Sequence, residues 1–250
     1  MTGGDGIAHA DRLLGGVIAA GEGSRLRRDG FAAHKPLVEI AGVPLIERVL
    51  ENFDAGGVAP PLVIVNEDER DCVERVRARF PGRPVEFIVK TTASSLESFR
   101  LVTAAPPRGR MLVSTVDAWC RAVDFAAFVE AAMRRPSDAV VLAVTPFVAD
   151  EKPLWVDLDG DGRVSTLGGA RGAFVTAGLY VVPESVRRAT PPSGLGRLRE
   201  YLGWLHRSGH AMYGEVIPTV VDVDRAEDVA IAEALERDAA IANPAGGRNR

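Results

Sequence analysis

The sequence predicts an α/β fold, built on a doubly wound and mostly parallel mixed sheet with antiparallel strands added in the C-terminal half. Two observations support this prediction. Short apolar runs alternate with helical patterns from residue 14 to residue 145, and a hairpin sequence follows them. Because consecutive βαβ units place their strands side by side, we expect ligands at the carboxyl ends of these strands.

Five apolar runs in the first part of the chain are predicted to be buried strands. Each is five to seven residues long, and most of its residues are apolar, as is typical of strands that are covered on both faces. In order, they span residues 14–20, 61–65, 85–89, 111–115 and 139–145.

Helical patterns occupy the segments between these strands. A proline before an apolar stripe marks one helix start at Pro44, and a capping serine marks another at Ser94. The predicted helices span residues 44–52, 67–79, 94–102 and 125–133.

The pattern changes after residue 145. Asp159-Gly160-Asp161-Gly162 is a turn sequence typical of a β-hairpin, and apolar runs lie on both sides of it. We therefore expect antiparallel strands here. The predicted elements are strands over 154–158, 164–167 and 174–182, a helix over 198–205, a strand-like segment over 216–223 and a helix over 226–242.

Composition excludes several classes of function. The net charge of −4 argues against a nucleic-acid-binding surface, which needs a basic excess to neutralise phosphates. No apolar run approaches the roughly 20 residues that span a bilayer, and the N-terminus lacks a secretion signal. Cys72 and Cys120 fit no metal-ligand spacing and are predicted to be buried free thiols. We expect a cytoplasmic protein without nucleic-acid or membrane partners.

A glycine-rich loop, Ala20-Gly21-Glu22-Gly23-Ser24, follows the first strand and leads into Arg25. Its glycines let backbone N–H groups approach an anion, while Arg25 and Lys35 supply positive charge. The loop lacks the third glycine of a dinucleotide fingerprint and the Gly-Lys-Ser or Gly-Lys-Thr of a P-loop. It predicts a site for a triphosphate; the alternative is a plain turn from strand to helix.

The wider pattern resembles the nucleotidyltransferases that join a nucleoside triphosphate to a sugar phosphate or similar acceptor, including MobA-like NTP transferases. It consists of the loop, His34-Lys35-Pro36-Leu37-Val38 and Ala41-Gly42-Val43-Pro44-Leu45-Ile46. The resemblance is most specific over 14–53 and continues loosely to Glu236. It implies the doubly wound nucleotide-binding fold that many glycosyltransferases share.

The resemblance also implies roles for the loop and its two cations. Residues Ala20, Gly21, Glu22, Gly23 and Ser24 would wrap the triphosphate. Arg25 would neutralise the leaving pyrophosphate, and Lys35 would contact phosphate near the reacting phosphorus. Such transfers depend on positioning and charge neutralisation far more than on covalent help from the protein.

A Mg²⁺ site is the second implied feature. Asp117 follows the strand over 111–115, where the family has a metal-binding aspartate, although Val116 replaces the usual preceding glycine. The resemblance implies a second ligand near the C-terminus, with Asp222 as the first choice and Asp224 as the second. Both could line the pocket, because alternate strand residues share a face. The alternative is that Asp224 caps a helix and Asp222 is solvated.

Recognition of the base and the acceptor is less specific in the sequence. Ser94 and Ser95 stand where related enzymes carry base-binding residues, and they either contact the base or cap a helix. Gly178 lies in a segment that resembles the family's acceptor-side strand. It either admits the substrate or allows close packing.

The sequence therefore predicts a Mg²⁺-dependent nucleotidyltransferase that uses a nucleoside triphosphate and a phosphorylated acceptor, such as a sugar 1-phosphate. Alternatives are a cytidylyltransferase for phosphocholine or a phosphonate, a MobA-like guanylyltransferase, and a nucleotide-binding regulatory module without turnover; a homo-oligomer is left open. We expect one domain over 1–242, with a nucleotide-binding half (12–145), an acceptor-binding half (146–242) and a disordered tail (243–250).

Overall fold

A computed structural model of the chain describes residues 12–104, 108–149 and 151–242. The strands are β1 (Leu14–Ile18), β2 (Glu39–Ile40), β3 (Val43–Pro44), β4 (Pro61–Val65), β5 (Glu86–Val89), β6 (Met111–Thr115), β7 (Ala118–Trp119), β8 (Val140–Thr145), β9 (Trp155–Leu158), β10 (Val164–Leu167), β11 (Phe174–Val182), β12 (Met212–Val216) and β13 (Val221–Asp222). The helices are α1 (Ser24–Arg28), α2 (Leu45–Ala55), α3 (Arg70–Arg79), α4 (Ser95–Ala104), α5 (Ala122–Arg134), α6 (Glu184–Arg188), α7 (Leu198–Arg207) and α8 (Ala226–Ala242), with a 3-10 helix over Lys35–Leu37.

The main sheet is mixed and mostly parallel. Its strands follow the order β5-β4-β1-β6-β11-β8-β12, and the β9–β10 hairpin pairs with the start of β11. Strands β5, β4, β1 and β6 are mutually parallel, and β12 is parallel to β8. Only β11 runs against its neighbours within this order. The predicted α/β fold with antiparallel additions is confirmed.

Helices cover both faces of the sheet. Along β1, Val17 belongs to one buried apolar cluster and the next residue, Ile18, belongs to the other. Helices α2, α3, α5 and α8 contribute to the first cluster, and α4, α6 and α7 contribute to the second. Because side chains alternate between faces, strands covered on both sides are apolar at every position, and this produces the continuous apolar runs in the sequence.

One predicted strand is wrong. The segment over 216–223 is not continuous, because β12 ends at Val216 and the short β13 begins at Val221. Pro218 lies in the gap and has no N–H group to donate to a strand ladder. Strand β12 instead extends back to Met212, where it pairs with Val140 of β8.

Several short elements were not predicted from the sequence, and the observed ends of the other helices and strands differ from the predicted ends by a few residues. The missed elements are α1, β2, β3, β7, α6 and the 3-10 helix. Each is too short to give a periodic apolar pattern. The tail over 243–250 lies outside the described residues, and the division into one domain with two halves stays a prediction.

Both cysteines are buried and free, as the sequence predicted. Burial raises the pKa of each thiol to about 12, so neither is a thiolate at neutral pH. Among the described residues, no helix has the length and apolar character needed to cross a membrane.

We expect Gly15→Ala to lower the free energy of unfolding by about 1–3 kcal/mol, the usual cost of overpacking. A Cβ atom at Gly15 would lie 2.5 Å from the Ala59 carbonyl oxygen, and this backbone atom cannot rotate away as a side chain can. Chemical denaturation followed by circular dichroism measures the loss.

Gly160→Ala in the hairpin turn is the matched control, because a Cβ atom there meets nothing within 4 Å. Its unfolding midpoint should stay near that of the wild type. Equal effects of the two substitutions would contradict the packing argument.

Candidate functional site

Two distant segments bring carboxylates together at the carboxyl end of β6. Asp117 lies two residues after the end of β6. The next residue, Ala118, pairs with Asp222 in the two-stranded β7–β13 sheet. The Val223 N–H also donates to the Asp117 carbonyl oxygen at 3.0 Å. This small sheet therefore fixes Asp117 beside the segment that carries Asp222 and Asp224.

Lys35 lies buried between two of these carboxylates. Its Nζ donates to Asp117 Oδ2 at 2.5 Å and also to Asp224 Oδ1. Arg25 binds the other oxygen of Asp224, with 2.6 Å between Nη1 and Oδ2. The two predicted phosphate-binding cations, Arg25 and Lys35, thus contact two of the predicted metal ligands, Asp117 and Asp224.

The charges in this cluster shift one another's titration. Burial by itself would lower the pKa of Lys35, but Asp117, Asp224 and Asp222 outweigh it and raise that pKa above its ordinary value. Burial would likewise raise the pKa of Asp117, yet the charge and hydrogen bond of Lys35 hold it below its ordinary value. Lys35 is therefore cationic and Asp117 anionic at neutral pH.

The three carboxylates are also close enough together to hold one metal ion. Asp117, Asp222 and Asp224 each offer an oxygen atom, and these atoms all lie within 4.8 Å of one another. An all-oxygen ligand set of this kind suits Mg²⁺, which keeps several waters and takes few protein carboxylates. The structure thus brings both candidates, Asp222 and Asp224, to Asp117.

The Asp228 side chain, by contrast, caps helix α8 rather than joining the cluster of Asp117, Asp222 and Asp224. Its Oδ2 accepts hydrogen bonds from the N–H groups of Asp224 and Arg225 at 3.0 Å and 2.8 Å. These bonds satisfy donors ahead of α8, as a capping side chain does.

The glycine loop reaches the cluster through Gly23. This residue has a φ of 57°, and a Cβ atom on it would lie 2.9 Å from Lys35 Cβ. A side chain here would therefore displace Lys35. Gly21, Glu22 and Ser24 are exposed beside it, and Ala20 is half-buried two residues beyond the end of β1. Contact of these loop residues with a triphosphate stays a prediction.

The two serines near α4 form structural hydrogen bonds. Ser94 Oγ accepts the Glu97 N–H at 3.2 Å, which is a helix-capping contact. Ser95 Oγ accepts the Leu198 N–H at 3.1 Å and so ties α4 to α7. Ser94 also lines a groove along α4 and α6, outside the pocket that contains Asp117. Their contact with a base stays a prediction.

Gly178 lies at a two-residue irregularity in β11. Thr176 pairs with Val144, but Tyr180 pairs with Leu142, so β11 carries two extra residues between these pairs. Gly178 has a φ of 71°, and a Cβ atom on it would lie 2.5 Å from Thr115 Oγ1. Close packing therefore accounts for this glycine, and a contact with the acceptor stays a prediction.

A pocket opens beside Asp117 and Asp222, and much of its lining was missed in the sequence. Its polar lining includes Tyr180 of β11 and Arg199 of α7. Its other lining residues include Thr115, Thr145, Phe147, Leu154, Val175, Thr176 and Gly178. Tyr180 lies two residues after Gly178, in the segment that resembles the family's acceptor-side strand, and this position was a usable signal. Nothing local distinguishes Arg199 from other helix-surface arginines.

Two curated relatives resemble parts of the chain. A CMP-5'-(3-aminopropyl)phosphonate synthase from Streptomyces rubellomurinus is 26% identical over 69% of this chain. A bifunctional IPC transferase and DIPP synthase from Rubrobacter xylanophilus is 27% identical over 94% of it. The matches cover 28% and 53% of these relatives, so the chain spans about a quarter and about half of their lengths.

Solved structures share the fold over nearly the whole chain. The inositol-1-phosphate CTP transferase from T. maritima superposes with a TM-score of 0.76 at 19% identity, covering 91% of this chain and 96% of that one. A putative glucose-1-phosphate thymidylyltransferase from Bacillus anthracis gives 0.78 at 16% identity, covering 90% and 96%.

A sequence match to a family covers well over half of the chain. Residues 15–172 match the MobA-like NTP transferase domain, a range that includes the glycine loop, Lys35 and Asp117. This chain therefore belongs to the family of MobA-like NTP transferase domains.

Proposed function

We propose that this protein is a Mg²⁺-dependent nucleotidyltransferase, which transfers a nucleoside monophosphate from a triphosphate to a phosphorylated acceptor and releases pyrophosphate. The observation that carries the proposal is the contact of Lys35 and Arg25 with carboxylates of the cluster formed by Asp117, Asp222 and Asp224. Membership of the NTP transferase family supports it.

The reaction makes one bond and breaks one. An oxygen of the acceptor phosphate attacks the α-phosphorus of the triphosphate, and the bond from that phosphorus to the oxygen bridging to the β-phosphate breaks. The acceptor phosphate is already ionised at neutral pH, so no side chain has to remove a proton. The protein's task is to hold the two phosphates together and to balance their charge.

The residues of the cluster suit this task. Lys35 is cationic and buried, so its charge is weakly screened and acts strongly on a phosphate nearby. Arg25 adds a second cation, a planar guanidinium suited to binding phosphate. Asp224 contacts both cations and so keeps their side chains in fixed positions before substrates bind.

The carboxylates fit a Mg²⁺ ion by ligand type and mutual spacing. When bound there, the ion would supply positive charge to the phosphates and polarise the bond that breaks. Asp117 and Asp222 are our choice of ligands, because Asp224 uses both of its carboxylate oxygens on cations, Oδ1 on Lys35 and Oδ2 on Arg25, whereas Asp117 contacts Lys35 through Oδ2.

The sequence leaves the base and the acceptor open. The similarity to a relative named as a CMP-phosphonate synthase makes CTP the first donor to test. Sugar 1-phosphates, phosphocholine and aminoalkyl phosphonates are the acceptors to compare, with GTP included for the guanylyltransferase alternative. Pyrophosphate release from each combination with Mg²⁺ tests the proposal. Triphosphate binding without release in every combination would favour a regulatory module.

We expect Asp117→Asn to reduce pyrophosphate release by at least about 100-fold, the scale of losing a group that stabilises transition-state charge. Asparagine keeps the size of the side chain but removes the negative charge. Asp161→Asn is the matched control, since this exposed aspartate lies in the β9–β10 turn. Retained turnover in Asp117→Asn with an intact fold would refute the assignment.

We expect Arg25→Gln to raise the KM for the triphosphate by about tenfold or more, because charge-assisted contacts with phosphate are strong. Arg27→Gln serves as the control: Arg27 lies on the same helix, but its side chain is exposed. Initial rates over a range of triphosphate concentrations measure the effect. The assignment fails if both variants give the same KM.

We expect EDTA to abolish turnover and Mg²⁺ to restore it. In Asp222→Asn, the Mg²⁺ concentration for half-maximal rate should rise by about tenfold or more, on the scale of lost metal-site contacts. A titration of rate against Mg²⁺ gives this value for the wild type and for the Asp161→Asn control. An unchanged Mg²⁺ requirement would remove Asp222 from the ligand set.

A further inference from the structure

We propose that Asp29 is a positioning residue for the triphosphate: its bond to the start of α8 fixes helix α1, and so holds Arg25 where it meets the phosphates. This inference rests on the proposed function, which assigns Arg25 to the triphosphate. Asp29 directly follows α1, and its Oδ2 accepts the Ala226 N–H at 3.0 Å. The bond joins residues that are 197 positions apart in the sequence.

Carboxylates from two different segments cap the start of α8. The first N–H groups of a helix have no partner within it, so side chains or water must accept them. Asp228 Oδ2 accepts two N–H groups, from Asp224 at 3.0 Å and from Arg225 at 2.8 Å. The next one, that of Ala226, is accepted by Asp29. A carboxylate also suits the positive end of the helix dipole. The cap of α8 is therefore completed from the segment that carries Arg25.

A second contact joins the same two segments. Arg25 Nη1 donates to Asp224 Oδ2 at 2.6 Å, two positions before Ala226. Within α1, the Asp29 N–H donates to the Arg25 carbonyl oxygen at 3.0 Å, so the two residues are one helical turn apart. Helix α1 is thus attached at both ends of a single turn, and two such contacts together resist rotation about either one.

Helix α1 depends on contacts of this kind. It has five residues, and so short a helix is not stable without support from the rest of the protein. Leu26 is its buried side chain, whereas Arg27 and Arg28 are exposed. The apolar anchor is therefore small, and the polar contacts of Arg25 and Asp29 supply the rest of its attachment.

The two polar contacts differ in what a triphosphate does to them. In the proposed function, Arg25 donates to phosphate, so its ion pair with Asp224 is shared with the substrate. The bond from Asp29 to Ala226 ends on a backbone N–H group and uses no group that the substrate needs. It can hold α1 in place both before and after the triphosphate binds.

Loss of this bond should therefore affect triphosphate affinity first. If α1 leaves its position for part of the time, the apparent affinity falls in proportion to the fraction of molecules that remain competent to bind. A merely structural role would act differently. It would lower the free energy of unfolding and the amount of active protein, and hence kcat, without changing KM.

The first test measures triphosphate binding by isothermal titration with Mg²⁺ and without an acceptor. The probe is whichever of ATP, CTP, GTP and UTP the wild type binds most tightly. Asp29→Ala should raise its dissociation constant by about fivefold, the scale of losing a capping oxygen. Asp29→Asn keeps an oxygen that can accept the Ala226 N–H and should stay within about twofold of the wild type. Unchanged binding in Asp29→Ala, or an equal loss in both variants, overturns the inference.

Asp159→Ala is the matched control. Asp159 is also exposed, and its Oδ1 accepts the N–H groups of Asp161 and Arg163 at 3.0 Å and 2.9 Å, but in the β9–β10 turn. This variant loses side-chain bonds to the backbone without touching α1, so its triphosphate affinity should equal that of the wild type. A loss as large as that of Asp29→Ala would show a general structural effect and overturn the inference.

A double-substitution cycle tests whether Asp29 acts through Arg25. In the Arg25→Gln background, Asp29→Ala should weaken triphosphate binding by less than about twofold, because the residue that it positions is already gone. A further loss of the full fivefold would mean that the two residues act independently, and this would overturn the assignment.

The two proposals fail in different ways. If the wild type binds a triphosphate but releases no pyrophosphate with any acceptor, the proposed function fails, and the titrations still decide the role of Asp29. If turnover is found and Asp29→Ala binds the triphosphate as the wild type does, the proposed function stands and the inference is overturned. A wild type that binds no triphosphate overturns both.

Discussion

The ion pairs of Lys35 are the interaction on which the rest of the site depends. Three carboxylates lie close together at the end of the sheet and would repel one another without a cation among them. Lys35 contacts two of them, and its side chain is only 6% exposed, so water does little to weaken these contacts. Removing one partner from such a cluster leaves an uncompensated buried charge, which costs far more than losing a surface ion pair.

The fold around Lys35 is shaped to allow this close approach. Gly23 leaves room for the Lys35 side chain on one side, and Gly178 leaves room for Thr115 and Ala118, which flank the Asp117 segment, on the other. The β7–β13 sheet then joins that segment to Asp222. The site is thus assembled from separate stretches of chain, and backbone contacts determine where its charged groups meet.

The sequence predicted the parts of this arrangement that are encoded locally. Buried strands such as β4 and β8 give continuous apolar runs, so the α/β fold could be predicted without any knowledge of contacts. Arg25 and Lys35 were predicted because they stand in a recognisable pattern around the glycine loop, and Asp117 because it follows the strand over 111–115, where the family it resembles has a metal-binding aspartate. The split of the segment over 216–223 at Pro218 was missed, because its apolar composition alone looks like one strand.

The remaining features were not predicted because they depend on contacts between segments that are far apart in the sequence. Arg199 reaches the pocket because α7 packs on the sheet beside α4, where Ser95 holds the Leu198 N–H. The spacing of nearby residues in the sequence gives no indication of such a contact between distant helices. Likewise, the sequence supplied both Asp222 and Asp224 as candidates, but only the fold shows that Asp224 bridges the two cations.

The charge balance of the site bears on the chemistry it can support. Asp117, Asp222 and Asp224 against Lys35 and Arg25 leave an excess of negative charge before any substrate binds. Binding of a triphosphate and of an acceptor phosphate would each add further negative charge. Because like charges at this distance repel strongly where water is scarce, the two phosphates can approach only with additional positive charge. In the proposed function, a divalent cation on the carboxylates would meet that need at the site, and Arg199 would add positive charge from the neighbouring pocket. The excess of acidic residues therefore supports the proposal of a metal-dependent transfer between two phosphorylated substrates.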